Sequence, residues 1–417
     1  MNKPPMLTTQ QALERLLANA LQIDGVEAVS TQQALGRVLA EDVVSLVDVP
    51  PMDNTSMDGY AVRCGDIGSP GVVLRVGQRI PAGSVGTQLE PGTVARIFTG
   101  APIPLGADAV VMQEDTVVPD GRSDHIQITV VPKLDQWIRR RGEDLSAGKK
   151  ALAVGTLLRP QELGVAASAG LTHLQVRRRV RVAAFFTGDE LALPGEPLKP
   201  GGIYNSNRDT LLACLRSLGC DATDLGIVPD RLDATREALR SASKNHDLII
   251  TSGGVSVGEE DHIRPAVNAE GRLDLWQIAI KPGKPLAFGA VRRQATQDPL
   301  ASLKDEAWFI GLPGNPVSSF VTFLLFVRPF ILKLQGRNNV LPRSYPMRAD
   351  FDWLKADRRN EFLRVKINSM GGLDLFPNQS SGVLTSASWA DGLLDCTPGK
   401  TFSRGDMMPF IPFSTLL

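Results

Sequence analysis

The residues best suited to chemistry stand at positions 247–261, where an apolar run turns abruptly into glycines, hydroxyls and acids. Residues 248–250 predict a strand that is buried on both faces. Glycines and serines between a strand and a helix leave backbone N–H groups free to bind an anion such as phosphate. Three acids at 259–261 favour a magnesium ion beside that anion. The run therefore predicts a phosphate and magnesium site at the carboxyl end of a strand.

Three further turns in this part of the chain carry similar residue types. Strand-like and helix-like segments alternate between residues 180 and 334, which is typical of a doubly wound parallel sheet. Parallel strands end at one edge of their sheet, so the polar turns after them should converge. The four turns lie at residues 187–190, 252–261, 281–285 and 313–318. We expect Glu190 and Asp261 to hold a divalent cation there, and Lys281 and Lys284 to supply positive charge.

A second region, residues 52–144, has short β-like runs between glycine and proline turns, and it predicts a small, mostly β module. Its polar clusters centre on Asp58, on Thr99 and on the run from Arg139 to Asp144. Each cluster has an ordinary explanation, because the first fits a turn, the second a strand end, and consecutive arginines usually form a solvated face. Acids directly after the arginines are less ordinary, and an arginine fork is a natural partner for an oxyanion.

Composition and charge narrow the classes of function. The 417 residues include 45 basic and 45 acidic side chains, so no overall positive field is present and no nucleic-acid binding is expected. Four scattered cysteines without a CxxC pair favour a reducing cytoplasm and argue against a zinc site. No signal peptide is visible. The longest apolar run, residues 320–334, is interrupted by Arg328 and Pro329, so we expect it to form a buried helix and expect no membrane contact. Neither GxGxxG after a strand nor GxxxxGK[ST] is present, which disfavours dinucleotide-binding and P-loop proteins.

The predicted fold class is α/β and multidomain, a doubly wound parallel-sheet domain with flanking small β domains and an N-terminal helical or linker region. The predicted domains are residues 1–51 and 145–178 (elongated helical or linker), 52–144 (small, mostly β), 179–336 (doubly wound β/α) and 337–417 (C-terminal, β-barrel-like). Within them we expect a helix at residues 30–39, a strand at 275–280 and a mobile polar insert at 292–306.

Seven motifs in a fixed order point to a known family. They are DNTSMDGYA (53–61), TGAP (99–102), RRRGED (139–144), TGDEL (187–191), SGGVSVG (252–258), KPGKP (281–285) and GLPGNPVS (311–318). With these motifs the chain resembles the bacterial molybdopterin molybdenumtransferases, the molybdenum insertases of molybdenum-cofactor biosynthesis, over nearly its whole length.

The resemblance implies a reaction in which molybdate is inserted into adenylyl-molybdopterin, with Mg²⁺ required, to give molybdenum cofactor and AMP. It implies that residues 179–336 bind molybdopterin and that the chain forms a homodimer. The active cleft would lie between the β/α and C-terminal domains of one subunit and the small β domain of the other. Contact with molybdopterin adenylyltransferase, the preceding enzyme, is a further expectation.

The family's roles carry over by matching motif. The catalytic residues would be Asp58, Asp144, Glu190, Asp261 and Lys281, with Glu190 and Asp261 as magnesium ligands. The substrate would be bound by Thr99, Arg139, Thr187, Gly188, Asp189, Ser252, Gly253, Gly254, Ser256, Gly258, Pro313, Gly314 and Asn315. Molybdate, a tetrahedral dianion, would be bound by Lys284, Ser318, Arg364 and Ser381, a cationic and hydroxyl set that suits such an anion. The other subunit would contribute Asp58, Thr99, Arg139 and Asp144.

A few positions depart from the family pattern. Gln277 stands where some members have a lysine, and Arg231 stands where a second acid is common. Ser380 and Gly382 flank Ser381 where other members have glycine and histidine. These departures bear on substrate affinity and on the C-terminal contact, and they do not change the expected reaction class.

Three alternatives remain at the level of sequence. Molybdopterin adenylyltransferase shares the β/α domain, but the flanking modules at residues 1–178 and 337–417 argue against it. A non-enzymatic molybdopterin-binding scaffold would need a partner module or linker, and none is recognised. A catalytically weak paralogue stays open because of the departures described above.

Overall fold

The computed structural model describes residues 6–255, 262–293 and 305–417. Its α-helices are α1 (Thr9–Asn19), α2 (Pro160–Ser168), α3 (Ser206–Ser217), α4 (Leu232–Asn245), α5 (Ile263–Glu270), α6 (Pro316–Thr322), α7 (Arg328–Leu334) and α8 (Thr385–Trp389). Its strands are β1 (Val26–Ser30), β2 (Val43–Val44), β3 (Asn54–Thr55), β4 (Gly59–Val62), β5 (Val72–Ile80), β6 (Thr93–Ile97), β7 (Ala109–Met112), β8 (Thr116–Val117), β9 (His125–Ile128), β10 (Ile138–Arg139), β11 (Lys150–Leu152), β12 (His173–Arg177), β13 (Arg181–Thr187), β14 (Leu191–Ala192), β15 (Ile203–Tyr204), β16 (Asp221–Val228), β17 (Leu248–Ser252), β18 (Gly271–Gln277), β19 (Ile280–Lys281), β20 (Pro285–Arg292), β21 (Glu306–Leu312), β22 (Tyr345–Arg348), β23 (Asn360–Ile367), β24 (Leu373–Leu375), β25 (Gly392–Cys396) and β26 (Met407–Pro412).

The N-terminal region combines one helix with strands from two distant parts of the chain. Thr8 caps α1, since its hydroxyl accepts the Gln11 N–H at 3.1 Å while the Gln11 side chain accepts the Thr8 N–H at 3.0 Å. Ala12 and Leu16 of α1 are fully buried in the same core as α7. β1 pairs with β12 and β2 with β11, both antiparallel, so the two segments form one unit.

The helix predicted at residues 30–39 is wrong. β1 ends at Ser30, and the following helical turn is a 3₁₀ turn of three residues, Thr31–Gln33. Gly36 has φ +73°, which is outside the right-handed helical region, and it stops any continuation. Residues 26–30 form a strand because they pair with β12, more than a hundred residues away, and the local sequence pattern contains no information about so distant a partner.

Residues of the small β module form a six-stranded sheet in the order β7-β4-β6-β5-β9-β8, with β3 and β10 paired beside it. Successive side chains of β4 point to opposite faces of the sheet, and both faces are buried, because Ala61 lies in one hydrophobic cluster and Val62 in another. The sheet therefore has a core of its own. Its polar turns carry Asp58 and Thr99 at the surface.

The β/α domain has a six-stranded sheet in the order β16-β13-β17-β21-β20-β18. Neighbouring residues of β13 belong to different cores, Ala183 to the one under α4 and α5 and Ala184 to the one under α1, α3 and α7, so helices cover both faces. Four neighbouring strands, β16, β13, β17 and β21, are parallel as predicted. β20, however, runs antiparallel to both of its neighbours, so the sheet is mixed.

The direction of β20 corrects the prediction for residues 275–280. The strand there is β18, which ends at Gln277, and the chain then enters a different sheet at Ile280. The turn at 281–285 consequently precedes β20 instead of following a parallel strand. An antiparallel strand begins at the edge where its parallel neighbours end, so this turn still reaches the predicted edge.

The C-terminal domain is a β-sheet in the order β19-β23-β25-β26-β22, with β24 paired to β23. Its first strand, β19, comes from the β/α domain, and Lys281 stands in register with Glu361 of β23. This pairing ties the two domains together beside the polar edge of the β/α sheet.

The apolar segment Pro316–Leu334 consists of α6, a π-helical turn at Phe323–Val327 and α7. Its length and composition would suit a membrane span, but the helix is mostly buried inside the protein. Arg328 is satisfied there, because its guanidinium donates to the backbone carbonyls of Leu416 and Val340 at 2.8 and 3.1 Å. The segment is thus the core helix of the β/α domain, as its sequence predicts.

Candidate functional site

A cavity of about 880 Å³ opens at the predicted edge of the β/α sheet. Its wall combines the turns after β13, β17 and β21, the turn before β20, the start of α3 and two loops of the C-terminal domain. The chain leaves β13 for β16 on one side and later returns to β17 on the other, so the cavity lies at the topological switch point of the sheet. The described parts of the four predicted turns, which leave out residues 256–261, therefore do converge.

Hydrogen bonds between side chains and backbone hold three of these elements together. Asn207, in the first turn of α3, donates to the Ser252 hydroxyl at 2.8 Å and to the Gly314 carbonyl at 2.7 Å. Ser252 in turn donates to the Pro313 carbonyl at 3.1 Å. Asn207 thus fixes the start of α3 against the turns after β17 and β21, and the cavity floor is preorganised.

Close backbone approach explains the glycine after β17. Gly253 has φ +99°, and a Cβ at this position would lie 2.6 Å from the carbonyl oxygen of Thr187. Only a residue without a side chain fits such an approach, which packs the turn after β17 directly against the end of β13.

Two buried polar groups in this wall have no hydrogen-bond partner among the described residues. They are the hydroxyl of Thr187 and the amide nitrogen of Asn205. Thr187 and Asn205 are 5% and 2% exposed, and both line the cavity. Because burial of an unpaired polar group costs free energy, these two side chains are suited to bind a polar ligand.

Cations and acids alternate where the C-terminal domain meets the cavity. Lys281 Nζ lies 2.7 Å from the Glu361 carboxylate and 3.5 Å from Asp357. Arg359 pairs with Asp357 at 2.9 Å, and its hydrogen bond lowers the pKa of that carboxyl far below the ordinary value. Trp353 donates its indole N–H to Glu361 at 3.1 Å. Lys281 and Arg359 are therefore held side by side at the domain boundary.

Lys284 differs from Lys281 in its surroundings. It is exposed to the cavity, and within residues 6–255, 262–293 and 305–417 no acid forms an ion pair with it. Ser318, in the first turn of α6, and Ser381 line the same cavity, and the Val317 N–H donates to the Ser381 carbonyl at 3.0 Å. A cation that no described acid pairs with, in one cavity with hydroxyls from two domains, can bind an oxyanion.

Arg364 lies behind the wall and does not line the cavity. It is 1% exposed, and its guanidinium donates to the Phe362 carbonyl at 3.1 Å and to the Ser386 hydroxyl at 3.2 Å. Burial lowers its pKa to about 10. A contact between Arg364 and molybdate stays a prediction.

Most residues that the sequence predicts for the site stand in the cavity wall. They are Thr187, Gly188, Glu190, Ser252, Gly253, Gly254, Lys281, Lys284, Pro313, Gly314, Asn315, Ser318 and Ser381. Asp189 lies just outside, where its carboxylate accepts the Asp230 N–H at 3.3 Å. Ser256, Gly258 and Asp261 fall outside the described residues. Their predicted roles remain predictions.

The predicted residues of the small β module form a separate group. The Asp58 carboxylate accepts the Thr99 N–H and the Thr99 hydroxyl, both at 2.7 Å, and these bonds lower its pKa. Arg139 stands on β10, and Asp144 is exposed in the following turn. Of the residues that the structure describes, none in 52–144 lines the cavity of the same chain.

The acids in the cavity fit a magnesium ion that is shared with a ligand. Glu190 and Asp230 line the wall, and the Glu190 carboxylate has no ion pair within the described ranges. Those ranges contain no group of three or more His, Cys, Asp or Glu side chains that could hold a metal by themselves. Magnesium is usually held by one or two carboxylates together with substrate phosphates and water, so this donor set suits it when a phosphate is bound.

Several wall residues were not predicted as site residues from the sequence. They are Tyr204, Asn205, Asn207, Asp230, Arg359, Gln379 and Ser380. Arg359 lies in the polar stretch 358–364 and Ser380 in the polar stretch 378–382, close to the predicted Arg364 and Ser381. By contrast, Gln277, Arg231 and Gly382 depart from the family pattern but are not among the described residues of the wall.

The fold and the site define a multidomain α/β protein with an anion-binding cleft between two of its domains. Three family models match the chain in order: the MoeA N-terminal region (domain I and II) at residues 7–170, a "probable molybdopterin binding domain" at 183–333 and the MoeA C-terminal region (domain IV) at 346–413. The chain belongs to the MoeA family, the molybdopterin molybdenumtransferases.

Individual relatives agree with this assignment. The chain is 40% identical to a molybdopterin molybdenumtransferase of Haemophilus influenzae over 89% of either chain. It is 36% identical to one of Nostoc sp., covering 90% of this chain and 86% of the relative. The crystal structure of the molybdopterin biosynthesis MoeA protein of Pyrococcus horikoshii OT3 superposes with a TM-score of 0.82 at 28% identity, and covers 98% of this chain and 100% of that one. These similarities favour an active enzyme over a scaffold or a weak paralogue.

Proposed function

We propose that this chain inserts molybdate into adenylyl-molybdopterin and releases AMP. One observation carries the proposal: Lys284, which no described acid neutralises, shares a cavity with the glycine turns after β13 and β17. The cavity thus has an oxyanion-binding side and a phosphate-binding side. A reaction that brings a tetrahedral oxyanion to a phosphate-containing substrate requires both.

The oxyanion side is formed by residues from two domains. Lys284 supplies full positive charge, and the hydroxyls of Ser318 and Ser381 can donate to oxygens of molybdate. Arg359 adds a guanidinium at the same wall, although Asp357 already shares its charge. These groups hold the dianion close to the site where the dithiolene sulfurs of molybdopterin must arrive.

The phosphate side is formed by the turns at Thr187–Glu190 and Ser252–Gly254. The unpaired Thr187 hydroxyl can bind phosphate oxygens there, and so can backbone N–H groups of these turns other than that of Gly253, which donates to the Leu312 carbonyl. Glu190, and Asp261 by family resemblance, would hold Mg²⁺, which would neutralise charge on the adenylyl phosphoanhydride during its cleavage. The protein contributes positioning and charge neutralisation, and AMP is the expected leaving product.

Complementation tests the proposal directly. Expression of the chain in a strain that lacks its molybdenum insertase should restore molybdoenzyme activity, and purified protein should release AMP from adenylyl-molybdopterin only when molybdate is added. Failure to restore activity even at high molybdate would refute the proposed reaction.

Lys284→Ala tests the oxyanion side. We expect its KM for molybdate to rise about tenfold or more, because a hydrogen bond to a charged group is lost. Lys333→Ala is the matched control, since Lys333 is an exposed lysine of α7 outside the cavity. A Lys284→Ala enzyme with the wild-type KM would remove this residue from the molybdate site.

The cellular setting and assembly are part of the same proposal. We infer a cytoplasmic enzyme, because all four cysteines are unpaired. We also infer a homodimer in which Asp58 and Thr99 complete the cleft of the other subunit, since they are surface residues remote from the cavity wall of their own chain. Docking with molybdopterin adenylyltransferase would let adenylyl-molybdopterin pass directly into this cleft.

A further inference from the structure

Tyr204 stands at the mouth of the cavity, and among the described wall residues it is the one aromatic side chain. Tyr204 is 45% exposed, and its hydroxyl donates to the Glu196 carbonyl at 3.0 Å. β15, which carries Tyr204, pairs with β14, and the Asn205 N–H donates to the Ala192 carbonyl at 2.9 Å. Tyr204 is thus held through its backbone and through its hydroxyl, while nearly half of the residue stays accessible. A ring held in this way can stack on a planar ligand.

The next residue connects Tyr204 to a helix N-terminus. Asn205 caps α3, a helix of 12 residues, because its side-chain oxygen accepts the Arg208 N–H at 3.1 Å. The amide nitrogen of the same side chain is buried and has no hydrogen-bond partner among the residues that the structure describes, and Asn205, Ser206 and Asn207 all line the cavity. An unpaired donor at the positive end of a helix is suited to hold a phosphate.

The order of strands separates this end of the cavity from the oxyanion side. α3 follows β13, whereas Lys284 precedes β20, which lies three strands further along the sheet. At the usual strand spacing the two positions are roughly 14 Å apart. The dithiolene of molybdopterin lies between the pterin and the adenylyl phosphates. If the dithiolene meets molybdate near Lys284, the phosphate-bearing adenylyl end would extend towards Tyr204 and the N-terminus of α3.

We propose that Tyr204 and the N-terminal end of α3 form a nucleotide subsite, in which the tyrosine ring stacks on adenine and the Asn205 amide binds the adenylyl phosphate. The assignment rests on the proposed function, because it takes adenylyl-molybdopterin as the substrate. It adds a residue that recognises the base and a residue that binds the phosphate. Tyr204 would thereby make the enzyme prefer a nucleotide-bearing substrate over free molybdopterin.

Calorimetric titration with AMP and with ribose 5-phosphate, which lacks the base, tests the stacking. Tyr204→Ala should weaken AMP binding about tenfold, the loss of one stacked base, and should leave ribose 5-phosphate binding unchanged. Tyr204→Phe keeps the ring, so its AMP affinity should stay close to that of wild type. Equal AMP affinity of wild type and Tyr204→Ala would overturn the stacking, and so would a loss that affects ribose 5-phosphate equally.

The phosphate contact needs a second variant. Asn205→Ser keeps an oxygen that can cap α3 but removes the amide nitrogen, so binding of AMP and ribose 5-phosphate should weaken by the same factor. Thermal unfolding at the wild-type temperature would show that the helix is intact. Unchanged binding of both ligands would overturn the role of Asn205. If wild-type protein binds no AMP with or without Mg²⁺, the proposed function itself fails, which distinguishes that outcome from failure of the subsite alone.

Titration with a pterin tests whether Tyr204 stacks on adenine or on the pterin ring of the substrate. Titration with a soluble pterin should give the same affinity for wild type and Tyr204→Ala. If Tyr204→Ala weakens the pterin and spares AMP, Tyr204 belongs to the pterin end and the proposed orientation of the substrate is wrong.

Discussion

Two arginines of the stretch RRNEFLR (358–364) have different environments at the residue scale. Arg359 lines the cavity beside Lys281, whereas Arg364, five positions later, is buried with its guanidinium on backbone carbonyls. Strand alternation does not separate them in the sequence, because Arg359 precedes β23 and the first six residues of β23 are all buried. The environment of each guanidinium depends on what packs over the strand, and the sequence does not contain that information locally.

This difference gives a prediction about two matched substitutions. Arg359→Ala should raise the KM for molybdate several-fold and leave the fold intact, because a half-buried cation of the cavity wall is removed. Arg364→Ala should lower the free energy of unfolding by about 2–4 kcal/mol, since it leaves buried carbonyls unpaired and opens a void. Urea unfolding and steady-state kinetics measure the two effects. The reverse result, a stable Arg364→Ala enzyme with a raised KM, would place Arg364 on molybdate.

Of the other residues predicted to bind molybdate, Lys284 and Ser318 could be found from sequence, because each stands in a turn whose motif is distinctive, whereas Ser381 follows from the family resemblance alone. All three stand in the cavity wall, and their contact with molybdate stays a prediction. Tyr204 and Asn207 give no comparable signal. An isolated tyrosine before a helix is usual in any fold, and its exposure at a cavity mouth depends on tertiary structure.

At the scale of elements, the turn after β17 depends on close backbone packing. Gly253→Ala should destabilise the protein by roughly 1–3 kcal/mol. The alanine would have to adopt a left-handed backbone conformation, and its Cβ would also lie too close to the Thr187 carbonyl oxygen. It should also weaken AMP binding, since the phosphate-binding backbone must shift.

Gly399→Ala separates the two contributions to this loss. Gly399 has φ +75° with no atom within 4 Å of an added Cβ, so only the conformational cost remains. Its thermal unfolding temperature should fall slightly and its AMP affinity should be unchanged. If Gly253→Ala binds AMP as well as Gly399→Ala does, close approach at Gly253 is not needed for the ligand.

Elements with strong local patterns could be predicted, and those that depend on distant partners could not. β17 contains the strand predicted at residues 248–250, since an apolar run before glycines is a local feature. The helix predicted at 30–39 fails because β1 has a distant partner strand. The direction of β20 was missed because residues 285–292 look the same in a parallel and an antiparallel strand, and only the neighbours decide.

At the scale of the whole molecule, the cavity is lined by the β/α and C-terminal domains. The predicted site residues of the small β module do not line the cavity of their own chain. β19 ties the first two domains together through its pairing with β23. The Asp58 carboxylate is held by Thr99 and has a lowered pKa, so it is charged at neutral pH at a surface position. A charged group fixed in this way is suited to approach a cleft on another molecule.

Mixing two impaired variants, assayed at molybdate concentrations well below the raised KM of Lys284→Ala, tests whether the cleft is shared between subunits. Under these conditions Asp58→Asn should abolish activity through the small β module and Lys284→Ala through the cavity. In a shared cleft, a dimer of one chain of each kind has one site with both wild-type residues and one with neither. Random exchange of subunits should therefore restore about a quarter of wild-type activity, because half of the dimers are mixed. A mixture no more active than its components would show that each chain completes its own cleft, and a wild-type chain that is monomeric by light scattering would contradict the shared cleft as well.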